Sequence, residues 1–298
     1  MKFRKYLSLV LLGATVAFSA ACPMAAAAAE PSAPEVTIGT VEVGEVSMDY
    51  CKFGTGERVF VILPGLSIHA VTPSGEAVAQ AYAAFAEDYT VYLFDRRTNV
   101  PEHYTVEDMA ADTAAVMREL GIAHAAVFGA SQGGMIAETI ALDAPELVDE
   151  LILASTCPRH NETLDAAEQR WVKLAEEGRG YDLNADFADS LYGAETLKQY
   201  RDVLLAGGES ITDEELARFV LLAENMHEFD VLDRLGELQC RTLILGCEGD
   251  KVMTAEASRE LNEAIPGSEC YIYGDEYGHA VYDEAPDYRN RILEFLAG

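Results

Sequence analysis

The 298-residue sequence predicts an α/β fold of doubly wound type with a mostly parallel sheet and an inserted helical cap. Three observations point there. Runs such as Val59-Phe60-Val61-Ile62-Leu63 and Leu243-Ile244-Leu245 are apolar at consecutive positions, so both faces of those strands must be covered. Segments with helical periodicity alternate with them. Two helix starts read as capping boxes, Thr105 with Asp108 and Thr212 with Glu215, in which side chains satisfy backbone donors that the helix leaves without partners.

In chain order, Val41–Val46 and Met48–Phe53 form an opening meander, and Gly54-Thr55-Gly56 turns into the strand Arg58–Leu63. That Gly-x-Gly joins two strands, whereas a dinucleotide loop must open a helix, so it carries no cofactor signal. Next come a strand at Tyr89–Asp95, a helix from Val106 to Leu120, a strand at Ala125–Phe128, a helix near Gly133–Leu142 and a strand at Leu151–Ala154. After a long interval follow the strand Thr242–Gly246, the helix Ala255–Ala264, the strand Cys270–Tyr273 and a closing helix Ala285–Leu296. These elements make a core of residues 36–156 and 239–298. Residues 157–238 lose the strand signal and show helical patterns at Leu164–Glu177, Glu195–Leu205 and Glu214–Asp230, broken at Gly178-Arg179-Gly180 and Gly207-Gly208. Helices inserted between two sheet strands are expected to cap one edge of the sheet.

Composition narrows the function. Half the residues are hydrophobic and only 10 are Pro, which excludes a disordered or collagen-like chain. Against 51 Asp+Glu stand 21 Lys+Arg, a formal charge of −30. Such a chain repels phosphate, so nucleic acid is not an expected partner. At the N-terminus, Lys2, Arg4 and Lys5 precede an uncharged run from Tyr6 to Phe18, and small residues continue to Ala29. This is the pattern of an export signal over residues 1–29, with residues 30–35 as a linker. Three outcomes fit it: a cleaved secretory signal, an uncleaved membrane anchor, or lipid attachment at Cys22 after Ser19-Ala20-Ala21, a loose match to a lipobox. All three put the folded part outside the cytoplasm. The remaining cysteines, Cys51, Cys157, Cys240, Cys247 and Cys270, are odd in number and form no Cys-x-x-Cys, so most are expected as buried free thiols and none as a metal ligand.

The sharpest local signal is Gly129-Ala130-Ser131-Gln132-Gly133-Gly134, directly after an apolar strand and at the start of a helix. A strand, a tight turn and a helix expose the central side chain at the strand's carboxyl end, above a helix N-terminus that favours developing negative charge. Ser131 is therefore the candidate nucleophile. A serine hydroxyl needs a base to take its proton. Of six histidines, only His279 lies in a loop between the last strand and the last helix, on the same sheet edge as Ser131. His103, His124, His160 and His227 read as surface or structural residues, and His69, after the Pro64-Gly65 turn, as a pocket-wall candidate. The imidazole needs a carboxylate acceptor. The strand ending at Gly246 runs into Cys247-Glu248-Gly249-Asp250, where Asp250 fits best and Glu248 stands in reserve. An oxyanion needs two N–H donors. Gln132, next to the nucleophile, offers one, and Leu66, after the Pro64-Gly65 break, offers the other.

With Ser131, Asp250 and His279 in this order on these strands, and a helical insertion between them, the chain from Val36 onward resembles the α/β-hydrolase family, in its capped, serine-nucleophile subgroup. It departs from many members in having Pro64-Gly65 where they have His-Gly. Its serine sets it apart from the aspartate-nucleophile branches, and Ala130 and Gln132 do not match the Gly-Gly-Ser-Trp-Gly of proline-specific peptidase relatives. The resemblance implies an acyl-enzyme mechanism, with no metal or organic cofactor, on small or medium ester-like substrates. Cap aromatics Trp171, Phe187, Tyr192, Tyr200, Phe219 and Phe229 are available for an apolar acyl or aryl site, with only one or two expected to face it. Neighbouring expectations are a lactonase, a thioesterase or an aminopeptidase-like amidase, and perhydrolysis by the same groups. In another class stands a non-catalytic receptor on the same fold.

Overall fold

A computed structural model describes residues 34–298; the expected export signal, Cys22 and most of the expected linker lie outside the described residues. Eight strands form one sheet: β1 (Thr37–Val43), β2 (Val46–Phe53), β3 (Arg58–Leu63), β4 (Tyr89–Arg97), β5 (Ala125–Ala130), β6 (Val148–Ala154), β7 (Arg241–Cys247) and β8 (Glu269–Tyr273). Their order is β1-β2-β4-β3-β5-β6-β7-β8. The pairs β1·β2 and β2·β4 are antiparallel and the rest parallel. Every residue of β5 is buried, as are the last four of β3 and of β6. The runs of consecutive apolar residues are thus strands covered on both faces. Each fully buried Val, Ile, Leu or Phe among them contributes roughly 1.5–3 kcal/mol.

Helices flank this sheet: α1 (Gly75–Ala81), α2 (Val106–Glu119), α3 (Gln132–Asp143), α8 (Ala255–Ala264), α9 (Val281–Glu284) and α10 (Tyr288–Ala297). Between β6 and β7 stand four more: α4 (Glu162–Glu176), α5 (Gly180–Leu191), α6 (Ala194–Leu205) and α7 (Asp213–Ala223). Both capping boxes form, at the starts of α2 and α7.

Four sequence expectations are corrected. The first strand runs from Thr37 to Val43, not from Val41 to Val46, because Gly44 takes a φ of 59° and turns the chain so that Val43 pairs with Val46. The closing helix starts at Tyr288, not at Ala285, since Pro286 disfavours helical backbone at Ala285, which is extended, and a separate short helix, Val281–Glu284, precedes it. The helix expected over Glu214–Asp230 stops at Ala223, and only a short 3₁₀ turn, Met226–Glu228, follows. Helix α5 was absent from the predicted set, although Leu183, Phe187, Ala188 and Leu191 give it a buried stripe. Of the cysteines, Cys51, Cys157 and Cys247 are buried, Cys240 is half-buried and Cys270 is exposed. Burial pushes the Cys51 and Cys247 thiols up to about 11, which keeps both protonated and unreactive at neutral pH.

Helix α3 carries one uncompensated group. Glu138 is fully buried, and neither carboxyl oxygen has a hydrogen-bond partner among the described residues. Burial pushes its pKa well above the ordinary glutamate value, so the neutral acid is the folded form. Below the ordinary carboxylate range both folded and unfolded chains are protonated there, and the stabilisation is complete. As pH rises past that range only the unfolded chain ionises, and stability is lost at about 1.4 kcal/mol per pH unit until the folded group also titrates. A Glu138→Gln variant cannot ionise, so its melting temperature should gain on the parent's as pH rises from about 5 to about 7. Thermal unfolding across that range checks this, and a difference that stays constant with pH would refute it.

Candidate active site

The parallel strands deliver their carboxyl ends to one edge of the sheet, and the chemistry-bearing residues gather there. Ser131 is the pivot between β5 and α3. Its φ of 55° and ψ of −125° put a non-glycine residue in a rarely used backbone region. Neighbouring strands hold it: the Ser131 N–H donates to the Ala154 carbonyl at 2.8 Å, and Thr156 Oγ1 donates to the Ser131 carbonyl at 2.8 Å. The turn is so tight that a Cβ at Gly133 would collide with the carbonyl oxygens of Leu63 and Pro64, backbone that cannot move aside.

Asp250 follows β7 and His279 follows β8, two strands paired in parallel. Asp250 Oδ2 meets His279 Nδ1 at 2.9 Å, and both side chains are only 1% exposed. The other oxygen, Asp250 Oδ1, accepts the N–H groups of Val252 at 2.8 Å and Met253 at 2.9 Å, which fixes the carboxylate plane. With Nδ1 engaged, Nε2 is the ring nitrogen left for a reacting partner. Glu248, the reserve acceptor, turns outward to the Arg259 guanidinium instead.

The His279 loop is held against the inserted helices. The Gly278 N–H donates to Glu284 Oε2 at 2.6 Å, the Gly193 N–H to Glu284 Oε1 at 2.9 Å, and the Ala280 N–H to the Leu191 carbonyl at 2.8 Å. Gly278 lies against the Leu191–Gly193 backbone with no room for a side chain. The insertion therefore helps set the position of the imidazole.

Ser131 and His279 line one cavity, together with Gly65, Leu66, Val252, Met253 and Tyr282 from the core. Leu164, Trp171, Phe187, Leu191 and Met226 line it from the chain between β6 and β7. Two of the six candidate aromatics, Trp171 and Phe187, thus face the site; their ring centroids are 4.6 Å apart. Water centres have only about 10 Å³ there, close to the space of one molecule. Its walls are apolar and carry no Asp, Glu, Lys or Arg. Leu66 lies on the wall beside Ser131, and Gln132 is the first residue of α3, whose N–H has no intrahelical carbonyl to bond. Both oxyanion candidates therefore flank the serine. Among the described residues, no group of three or more His, Cys, Asp and Glu side chains is arranged to hold a metal ion.

The other histidines are engaged elsewhere. His69 bonds Glu215 at 2.6 Å, at the start of α7, and is not part of the cavity wall. His103 bonds Asn225 at 2.9 Å, His160 bonds Glu168 at 3.1 Å, and His227 bonds the Glu224 carbonyl at 2.6 Å. His124 lies 3.4 Å from Asp149 on the surface.

One polar group at this edge was missed from the sequence. Arg96, at the end of β4, is 4% exposed and binds both Pro64 and Gln132. In Asp95-Arg96-Arg97 nothing distinguishes it from a solvated charge, and no sequence signal could have found it.

A family model described as the alpha/beta hydrolase fold matches residues 58–191. The protein provisionally named non-heme bromoperoxidase BpoC, from Mycobacterium tuberculosis, is 27% identical over 269 residues, spanning 85% of this chain and 98% of its own. One provisionally named carbamate hydrolase RutD, from Pseudomonas savastanoi pv. phaseolicola, is 27% identical over 238 residues, spanning 73% and 87%. Among solved structures, MGS-M2, an α/β hydrolase from a Medee basin deep-sea metagenome library, matches with a TM-score of 0.79 at 22% identity, over 87% of this chain and 98% of its own. The chain has the α/β-hydrolase fold, and it is an enzyme of the hydrolase class.

The packing at the elbow is directly testable. Gly133→Ala places a methyl against two backbone carbonyls and should cost about 1–3 kcal/mol or more of stability. Denaturant unfolding measures it, and a loss below about 0.5 kcal/mol would contradict the packing described.

Proposed function

We propose that this hydrolase cleaves neutral carboxylic esters of small to medium size through an acyl-enzyme on Ser131. The observation that carries the proposal is the buried Asp250–His279 pair facing the same apolar cavity as the Ser131 hydroxyl. In the proposed reaction His279 Nε2 takes the Ser131 proton as Oγ attacks the ester carbonyl. Asp250 holds the tautomer and stabilises the imidazolium that forms. The backbone N–H groups of Leu66 and Gln132 receive the developing oxyanion. His279 then protonates the departing alcohol. A water molecule, activated by the same imidazole, releases the acid and restores Ser131.

The cavity wall argues for neutral substrates. A carboxylate or ammonium group on the substrate would lose its hydration there without gaining a counter-charge, an unfavourable exchange. Lactones, thioesters and amides are open to the same chemistry, and the relative named for carbamate hydrolysis extends the range of acyl carbonyls. A second reading has its own support: a relative named as a bromoperoxidase matches over 85% of the chain. In that reading peroxide replaces water as acyl acceptor and the product is a peracid. The N-terminal pattern of Lys2 to Ala29 supports an extracytoplasmic location.

Hydrolysis of short p-nitrophenyl esters by the mature chain tests the proposal. Ser131→Ala should remove nearly all turnover and all labelling by a fluorophosphonate probe, and Asp250→Asn should lower kcat by about 10³–10⁴-fold. Unchanged turnover in Ser131→Ala would refute it. Labelling without turnover on ester, lactone, thioester and aminoacyl panels would favour a receptor on this fold.

A further inference from the structure

Arg96 is the buried cation that the proposed steps do not use. Its side chain leaves the carboxyl end of β4, and its guanidinium reaches two other segments. Nη2 donates to the Pro64 carbonyl at 2.7 Å. Nε and Nη2 donate to Gln132 Oε1 at 3.3 Å and 3.1 Å. One planar, rigid fork thus bonds to the turn after β3 and to the first residue of α3. These are the segments that carry Leu66 and Gln132, the two candidate oxyanion donors beside Ser131. Pro64 is two residues before Leu66, so fixing its carbonyl fixes the plane of the peptide that leads into the donor.

The network continues into the inserted helices. Gln132 Nε2 donates to the Leu222 carbonyl of α7 at 2.7 Å, so both ends of this fully buried amide are engaged. Beside it, Arg218 of α7 donates to Asp95 Oδ1 at 2.9 Å, and the Val71 N–H to Asp95 Oδ2 at 2.7 Å. Burial lowers the Arg96 pKa to about 10, which still leaves the group charged at neutral pH. Desolvating a guanidinium is costly, and its direct side-chain acceptors are two neutral oxygens. A surface ion pair would not need this arrangement. The arrangement ties two segments from distant parts of the chain to one group.

We propose that Arg96 is a positioning residue for the oxyanion hole, aligning the Leu66 and Gln132 donors through Pro64 and the Gln132 side chain. The inference rests on the acyl-enzyme reading above and assigns no substrate contact to Arg96. Misaligned donors fail mainly when charge develops on the oxygen, so Arg96 should matter for the transition state and little for substrate binding.

The test uses the full chain with a p-nitrophenyl ester and an aryl trifluoromethyl ketone, which forms a tetrahedral oxyanion adduct with an active serine. Arg96→Lys keeps the charge but loses the fork; Arg96→Met removes the charge. In each folded variant kcat should fall about 10–100-fold with KM within about twofold, and trifluoromethyl ketone affinity should weaken by a similar factor. Gln132→Leu, which keeps the N–H and removes the side-chain anchor, should lower kcat too. Combined with Arg96→Lys it should lose less than the product of the two single effects. Should Arg96→Met not fold, Arg96→Lys and Gln132→Leu decide alone. Unchanged kcat and inhibitor affinity in folded Arg96→Lys, or a rise confined to KM, would overturn the inference. A wild-type chain that neither labels with fluorophosphonate nor turns over ester would instead refute the acyl-enzyme reading, so the two failures are distinguishable.

Discussion

The site depends on a close approach of backbone to backbone at the carboxyl edge of the sheet. The chain leaving β3 and the helix entering after Ser131 lie so near each other that Gly133 has no room for a side chain between them. That contact brings the Pro64-Gly65 turn beside the serine, where a Cβ at Gly65 would sit 3.1 Å from the Ser131 Cβ. The same device recurs on the other side, where Gly278 lets the His279 loop press on the end of α5. Side-chain chemistry is placed here by what the backbone can approach, and the strain at Ser131, of order 1–3 kcal/mol, is held by the strands around it.

The features legible in the sequence were those set by local pattern. Consecutive apolar residues reported strands covered on both faces, and Thr105 and Thr212 reported helix starts, because each is decided within a few residues. The apolar Ala125–Phe128 run before Ser131 marked the elbow for the same reason. What escaped depended on single backbone choices or on distant partners. Gly44 ended β1 earlier than its alternating pattern suggests, and Pro286 delayed the start of the closing helix to Tyr288. Helix α5 begins at a glycine pair that reads as a loop, which hid the spacing of Leu183, Phe187 and Leu191.

The site divides along the same line. The order Ser131, Asp250, His279 could be inferred because parallel strands share one polarity, so residues just past β5, β7 and β8 must lie along one edge. Asp250 was preferred over Glu248 by its depth in the loop, and in the structure the longer acid reaches Arg259. Arg96 was beyond such reasoning. Its partners are 32 and 36 residues away, on the turn after β3 and at the start of α3, so its burial exists only once those segments meet. A basic residue next to another basic residue looks solvated until tertiary structure removes the water.

The inserted helices do more than add core. Their apolar side chains line the cavity, while polar contacts tie them to the core: Leu222 to Gln132, Arg218 to Asp95, Glu215 to His69, Gly193 to Glu284. Individually such bonds contribute about 0.5–1.5 kcal/mol net, less for exposed pairs, so the seal is a sum of small terms. The Leu222 bond to Gln132 joins α7 directly to the buried amide that Arg96 also holds, so the insertion and the two core segments around the serine share one hydrogen-bonded chain. Removing any member would leave a buried polar neighbour short of a partner, which costs more than the net worth of the bond itself. The packing of the insertion and the geometry of the edge beside Ser131 are therefore held by the same groups.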